Sequence, residues 1–427
     1  MAQKLGFTKQ AIYRHFRGKS ALLEAMKNDF LLAYGEVRDA VTAAAGKTAG
    51  SRSAVVREAL AAYAGGIYDM FQRVPAYYYY LVLKLLPGPE EDRRRFLELG
   101  DDISAALGPL PAGATELQRT LPLVFVHIHV VVWTAFAFWT PLGQARNGNA
   151  APTAEHNAAE PNAAQRRAAH VAHTVELCLH GHFPRARHDL PYGQIERIAE
   201  VQQAELLEPN RFFAAVETVV AEVGFEAASL ERIAGSLGMS KSSLYFHFEN
   251  KDTMFSAALQ RERSHFRDLF ARRAAQLEDF SASLYGYIVA LVTFLLSNRS
   301  LMVFSNWAQI QHIPVGGSIP DEAELLQTAE FLQRRLAACP DPQRRGETLE
   351  TLALLSILVQ RGIIDYNLSF DRRDELFDFT RVLYRTVSHG IAPQQGADGR
   401  GGVAAGRAKQ AKQAKQAKPD KGRTRQL

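Results

Sequence analysis

Between Ser229 and Lys251 the chain reads SLERIAGSLGMSKSSLYFHFENK. Its second half gathers Ser240, Lys241, Ser242, Ser243, Tyr245, His247 and Lys251. These are hydroxyls, a phenol, an imidazole and two ammonium groups. Such a set donates hydrogen bonds and carries positive charge, which suits phosphate oxygens and base edges better than bond-making chemistry. The chain has no nucleotide-cradling loop, no nucleophile elbow and no metal-ligand spacing, so we expect no enzyme, no cofactor and no metal site.

The flanking residues specify how that set is held. Ser229 is an N-cap, and Glu231 places an acid in the first helical turn, where the helix dipole favours it. Leu230, Ile233, Ala234 and Leu237 give this helix one apolar face. Gly238 ends it in a left-handed turn that Met239 is expected to plug. Ser240 caps a second helix from Lys241, which should bury Leu244 and Phe248. Asn250 is expected to cap a third helix beginning at Lys251. Two short helices about a glycine turn form a helix-turn-helix, whose second helix enters the major groove of DNA.

The stretch SLERIAGSLGMSKSSLYFHFENKDTMFSAAL resembles the DNA-binding pattern of the TetR/AcrR family, including Tyr245, His247, Phe248 and Lys251 at its fixed spacing. A second copy stands at the start of the chain, AQKLGFTKQAIYRHFRGKSALLEAM. Gly6 aligns with Gly238 at an offset of 232. Thr8, Lys9, Tyr13, His15, Phe16 and Lys19 then match Ser240, Lys241, Tyr245, His247, Phe248 and Lys251. A repeat of this size implies two tandem units.

By this resemblance, Ser229 and Ser240 cap helices and touch phosphates. Lys241, Ser242, Ser243 and Tyr245 are candidates for base-edge and backbone contacts, and His247 and Lys251 for phosphates. Thr8, Lys9, Gln10, Tyr13, His15 and Lys19 take the matching places in the first head. The two recognition helices differ, KSSLYF against KQAIYR, so unlike half-sites are expected if both bind.

The second head is preceded by an apolar stripe of Val216, Val219, Val220 and Val223, which should complete a three-helix domain. The first has no counterpart before Met1. It is therefore expected to be either truncated by a misplaced start or degenerate.

The net charge of +5 is unevenly spread. Arg400 to Leu427 holds nine Lys or Arg against one Asp, so the rest of the chain is slightly acidic. Lys409, Lys412, Lys415 and Lys418 recur without an apolar face, as in a disordered tail that could hold DNA by counterion release. Cys178 and Cys339 stand far apart, consistent with a reducing, cytoplasmic setting. The N-terminus has no signal-peptide core.

Between heads the pattern is helical: Ala21 to about Ala45, then Ala54 to about Leu86 with an interruption at Pro75. The run Tyr77 to Tyr80 points all round its helix, which favours packing over a ligand pocket. Leu121 to Thr140 is apolar and long enough to span a bilayer. Its place matches the first of the two helices that form the TetR-type dimer interface, so no membrane span is expected. Gly143 to Gln165 reads as a loop and Arg166 to His182 as a helix. His170, His173, His180, His182 and His188 lack a thiolate or carboxylate at ligand spacing and are expected to be solvated or interfacial. Gly193 to Leu207 reads as a stiff amphipathic linker helix. Leu349 to Tyr366 and Arg373 to His389 resemble the second interface pair.

The expected architecture is all-α: two tandem TetR-like units and a disordered basic tail. Its parts are a first head (1–30), a first helical regulatory domain (31–192), a linker (193–207), a second head (208–260), a second regulatory domain (261–392) and the tail (393–427). The resemblance implies a repressor that binds a double-stranded DNA operator and releases it when an unknown small-molecule effector enters the helical body. It would act as an intramolecular pseudo-dimer or a homodimer. The alternative is a ligand-binding or scaffolding protein descended from a duplicated repressor.

Overall fold

Short polar side chains start the helices where local sequence favours them. Ser51 accepts a bond from the Ala54 amide at 3.4 Å, Asn210 from Phe212 at 2.9 Å and Asp279 from Ala282 at 2.8 Å. The computed structural model describes residues 17–48, 50–81, 85–86, 90–108, 115–139, 163–208, 210–246, 251–304 and 342–391. Every regular element among them is a helix, so the protein is all-α.

The first half contains α1 (Lys19–Lys47), α2 (Arg52–Arg73), α3 (Ala76–Tyr80), α4 (Glu90–Leu107), α5 (Glu116–Trp139) and α6 (Ala163–His180). The central helix is α2, packed on α1, α4, α5 and α6. Pro75 separates α2 from α3, as its missing amide requires. Tyr77 and Tyr80 are buried against Phe30, with ring centroids 5.7 and 5.5 Å away, and Tyr78 meets Phe71. The Tyr77 hydroxyl donates to Asp29 at 2.5 Å. These tyrosines are packing residues.

A connector follows, with α7 (Tyr192–Ala199) and a single 3₁₀ turn, Gln203–Glu205. The linker helix expected over Gly193 to Leu207 is therefore shorter. Glu200 leaves helical geometry, at φ −58° and ψ 125°. That change lets the Val201 amide bond the Thr293 hydroxyl at 3.0 Å and buries Val201.

The second half contains α8 (Arg211–Ala227), α9 (Leu230–Ser236), α10 (Lys241–Phe246), α11 (Lys251–Ala274), α12 (Phe280–Ser297), α13 (Pro342–Asp365) and α14 (Arg373–His389). In α12 every residue from Phe280 to Leu295 is buried. It packs on α7, α11, α13 and α14, so it is apolar all round because protein surrounds it. Both α5 and α12 are long and apolar enough to cross a membrane, yet both lie mostly within the fold.

The two halves meet through helices. α5 packs on α13 and α14, and α6 on α14. Trp133, Phe125 and His129 of α5 are fully buried. Thr120 and Tyr366 share a hydroxyl bond of 2.9 Å, and Thr351 bonds His182 at 2.8 Å. Among the other histidines expected to be solvated or interfacial, the buried His170 bonds Thr134 at 3.1 Å, the exposed His180 lies 3.4 Å from Glu176, and the exposed His188 stacks on His389. Burial pushes the Cys178 thiol well above its ordinary range, and it meets His129 at 3.1 Å. The expected loop to Gln165 ends sooner, since α6 begins at Ala163, and the helix expected to reach His182 stops at His180. Residues 143–162, Cys339 and the tail lie outside the described residues.

Candidate nucleic-acid interface

The second head is built from α8, α9 and α10. Val216, Val219 and Val220 of α8 are buried, as is the face of α9 formed by Leu230, Ile233 and Ala234. Val223 and Leu237, expected on those stripes, are only half-buried. The Ser229 hydroxyl accepts from the Arg232 amide at 3.4 Å, which makes it the N-cap of α9. Gly238 takes φ +68°, the left-handed conformation that lets the chain turn between helices. Met239 does not plug this turn. Its amide bonds the Ala234 carbonyl at 2.8 Å, while its side chain stays 37% exposed, because the backbone closes the turn unaided.

Ser240 caps α10, accepting from the Ser243 amide at 3.1 Å, and the two hydroxyls are 2.8 Å apart. Ser240, Lys241 and Ser242 are exposed and Ser243 is half-buried. Four consecutive candidates thus stand at the exposed start of one helix. Tyr245 lies in the same helix and Lys251 opens α11. His247, Phe248, Asn250 and the side chains of Leu244, Tyr245 and Lys251 lie outside the described residues. So do Thr8, Lys9, Gln10, Tyr13 and His15 of the first head. Lys19 is the first residue of α1, without a described side chain.

One partner was not foreseen. The Lys241 ammonium pairs with the Glu231 carboxylate across the turn, and this bond holds the Glu231 carboxyl below its ordinary range. The sequence signal was the acid in the first turn of α9, which suggested only a dipole effect.

The head is anchored behind this surface. Phe213 stacks on Phe304 with ring centroids 4.5 Å apart, and Phe212 meets the same ring edge-on at 5.6 Å. The Ser300 hydroxyl donates to Glu217 of α8. A change in the helical segment 299–304 therefore acts directly on the first helix of the head.

The family model described as bacterial regulatory proteins, tetR family, matches residues 1–26 and 213–258. The second match runs from Phe213 in α8 through α9 and α10 into α11. No curated protein matches the chain. Two segments on one all-helical frame are therefore similar to the DNA-binding head of the tetR family, which supports a DNA-binding transcription regulator with two TetR-type units.

Proposed function

We propose that this protein is a ligand-responsive repressor that works as a covalent pseudo-dimer, with both heads of one chain on one operator. The observation that carries this reading is the contact of α5 and α6 with α13 and α14. Each half contributes its last two helices to a single interface, the arrangement that the family resemblance leads one to expect between two separate subunits. Ser229, Ser240, Lys241, Ser242, Ser243, Tyr245, His247 and Lys251 serve the second head, and Thr8, Lys9, Gln10, Tyr13, His15 and Lys19 the first. Two heads on B-DNA must sit about one helical turn apart, or a multiple of it. An effector releases the operator only if it binds better to the conformation whose heads are wrongly spaced.

The test is selection of binding sites by the full chain from random DNA, followed by titration of the upstream region of its own gene. Two unlike half-sites at helical-turn spacing are expected. A perfect palindrome would favour two chains, each using one head.

A further inference from the structure

We propose that the connector, residues 182–206, is a strap that sets the position of the second head by latching α11 to the interface helix α14. Three carboxylates on this short segment each hold an arginine. Glu196 grips Arg381 of α14 through two bonds of 2.8 and 2.9 Å, and accepts a third from the Tyr285 hydroxyl of α12 at 2.6 Å. Glu200 grips Arg373 of α14 through two bonds of 2.7 Å. Glu205 pairs with Arg273, near the C-terminal end of α11.

The last of these is the latch. Arg273 is 7% exposed and also donates to the Glu200 carbonyl at 3.3 Å and to the Leu269 carbonyl at 3.2 Å. Two turns earlier in α11, the His265 ring donates to the Glu205 carbonyl at 2.7 Å. The strap therefore holds α11 at two points, and α14 and α12 hold the strap.

The other end of α11 starts at the second head. Tilting that head against the body moves α11, and moving α11 must carry the strap or break its hold at Glu205. Because Arg373 and Arg381 belong to the helix that packs against α5, the strap ties the position of the second head to the contact between halves. Bidentate arginine–carboxylate pairs fix direction as well as distance, which a positioning device requires. A strap that narrows the range of head positions lowers the cost of ordering the head on DNA.

The experiment compares full-length protein with Glu205→Gln. The new amide oxygen can still accept from the Gln202 amide, which the carboxylate bonds at 2.9 Å, so the local turn is kept. A second variant, Glu205→Gln with His265→Leu, reduces the first point of hold to a neutral hydrogen bond, since Arg273 and the Gln202 amide share one Glu205 oxygen, and removes the second. Hydrogen exchange is read along the whole chain, and affinity is read on the selected DNA site. The strap predicts faster exchange in Lys251–Ala274, by at least ~fivefold in the double variant, with α2 and α5 unchanged. It also predicts weaker DNA binding by a similar factor. Unchanged exchange in α11, or an increase spread evenly over both halves, would overturn the strap. So would faster exchange in α11 with unchanged DNA affinity. The DNA arm rests on the proposed function. Failure of the unmodified chain to bind DNA would sink that reading alone, and the exchange arm would still decide the latch.

Discussion

Gly181 and Gly390 end the last helices of the two halves, each at φ +74°, and each presses against the other half's chain. A Cβ on Gly181 would lie 2.3 Å from the Ser388 backbone, and one on Gly390 would lie 2.3 Å from the Leu179 backbone. The crossing is sewn by main-chain bonds from His182 to Val387 at 2.8 Å, Phe183 to Ser388 at 3.1 Å and Ile391 to Cys178 at 2.9 Å. α6 and α14 thus meet the same requirement at their ends, as equivalent elements of two halves should.

Gly181→Ala and Gly390→Ala should each destabilise the protein by about 2–5 kcal/mol, combining a strained left-handed residue with an overpacked contact. Gly35→Ala is the control. It lies within α1 with nothing near its missing Cβ, and should stabilise by about 0.5–1 kcal/mol. Denaturant midpoints measured side by side would decide. Equal behaviour of all three would contradict the close crossing.

Lys241→Ala should weaken DNA binding across sequences and reduce the salt slope by about 1, as loss of one phosphate contact does. Glu231→Gln releases the ammonium from its internal partner and should strengthen binding. The gain should vanish in the Lys241→Ala background, which a double-mutant cycle on one DNA site would reveal. A gain that persists without Lys241 would mean that Glu231 simply repels DNA.

His127 gives the first half a pH dependence. Its ring bonds Tyr63 at 3.0 Å and Ser104 at 2.9 Å, and burial lowers its pKa to about 4. The unfolded chain binds this proton below the ordinary value near 6.5, whereas the folded chain does not until about 4. Stability should therefore fall as the pH drops from about 6.5 to about 4, by on the order of 2–3 kcal/mol for this group, and level off below. His127→Gln should flatten that part of the melting-temperature profile. An unchanged profile would assign the acid sensitivity to other groups.

Phe304→Ala should loosen the second head, because Phe304 packs on both Phe212 and Phe213 and is fully buried. Loss of such a ring costs about 3–5 kcal/mol. Proteolysis should then cut first near α8, before the helices of the first half. Simultaneous cutting of both halves would show that the head is not held separately.

Local patterns in the sequence were enough to reveal much of this frame. Ser229 and Ser240 cap helices, Gly238 turns, Pro75 interrupts, and the apolar face of α9 is largely buried, because each depends on residues within one or two turns. The pairing of Glu231 with Lys241 depends on how two helices lie across a turn, and periodicity does not carry that information. Glu196 and Glu200 find arginines far along the chain, so the connector looked like an amphipathic helix rather than a strap. Met239 misled because its apolar side chain suggested a plug, while the backbone bond to Ala234 closes the turn by itself. The apolar run in α5 was placed by its position in the repeat. The helix α12 is also strongly apolar, and its neighbours on all sides explain its composition.

The most direct test of the pseudo-dimer is the mass of the full chain bound to its own operator, measured by native mass spectrometry at saturating DNA. The account predicts one chain of 47.4 kDa per operator, occupying two unlike half-sites. Two chains per operator, on identical half-sites and with binding abolished by Lys241→Ala, would contradict it and leave the second head as the only reader.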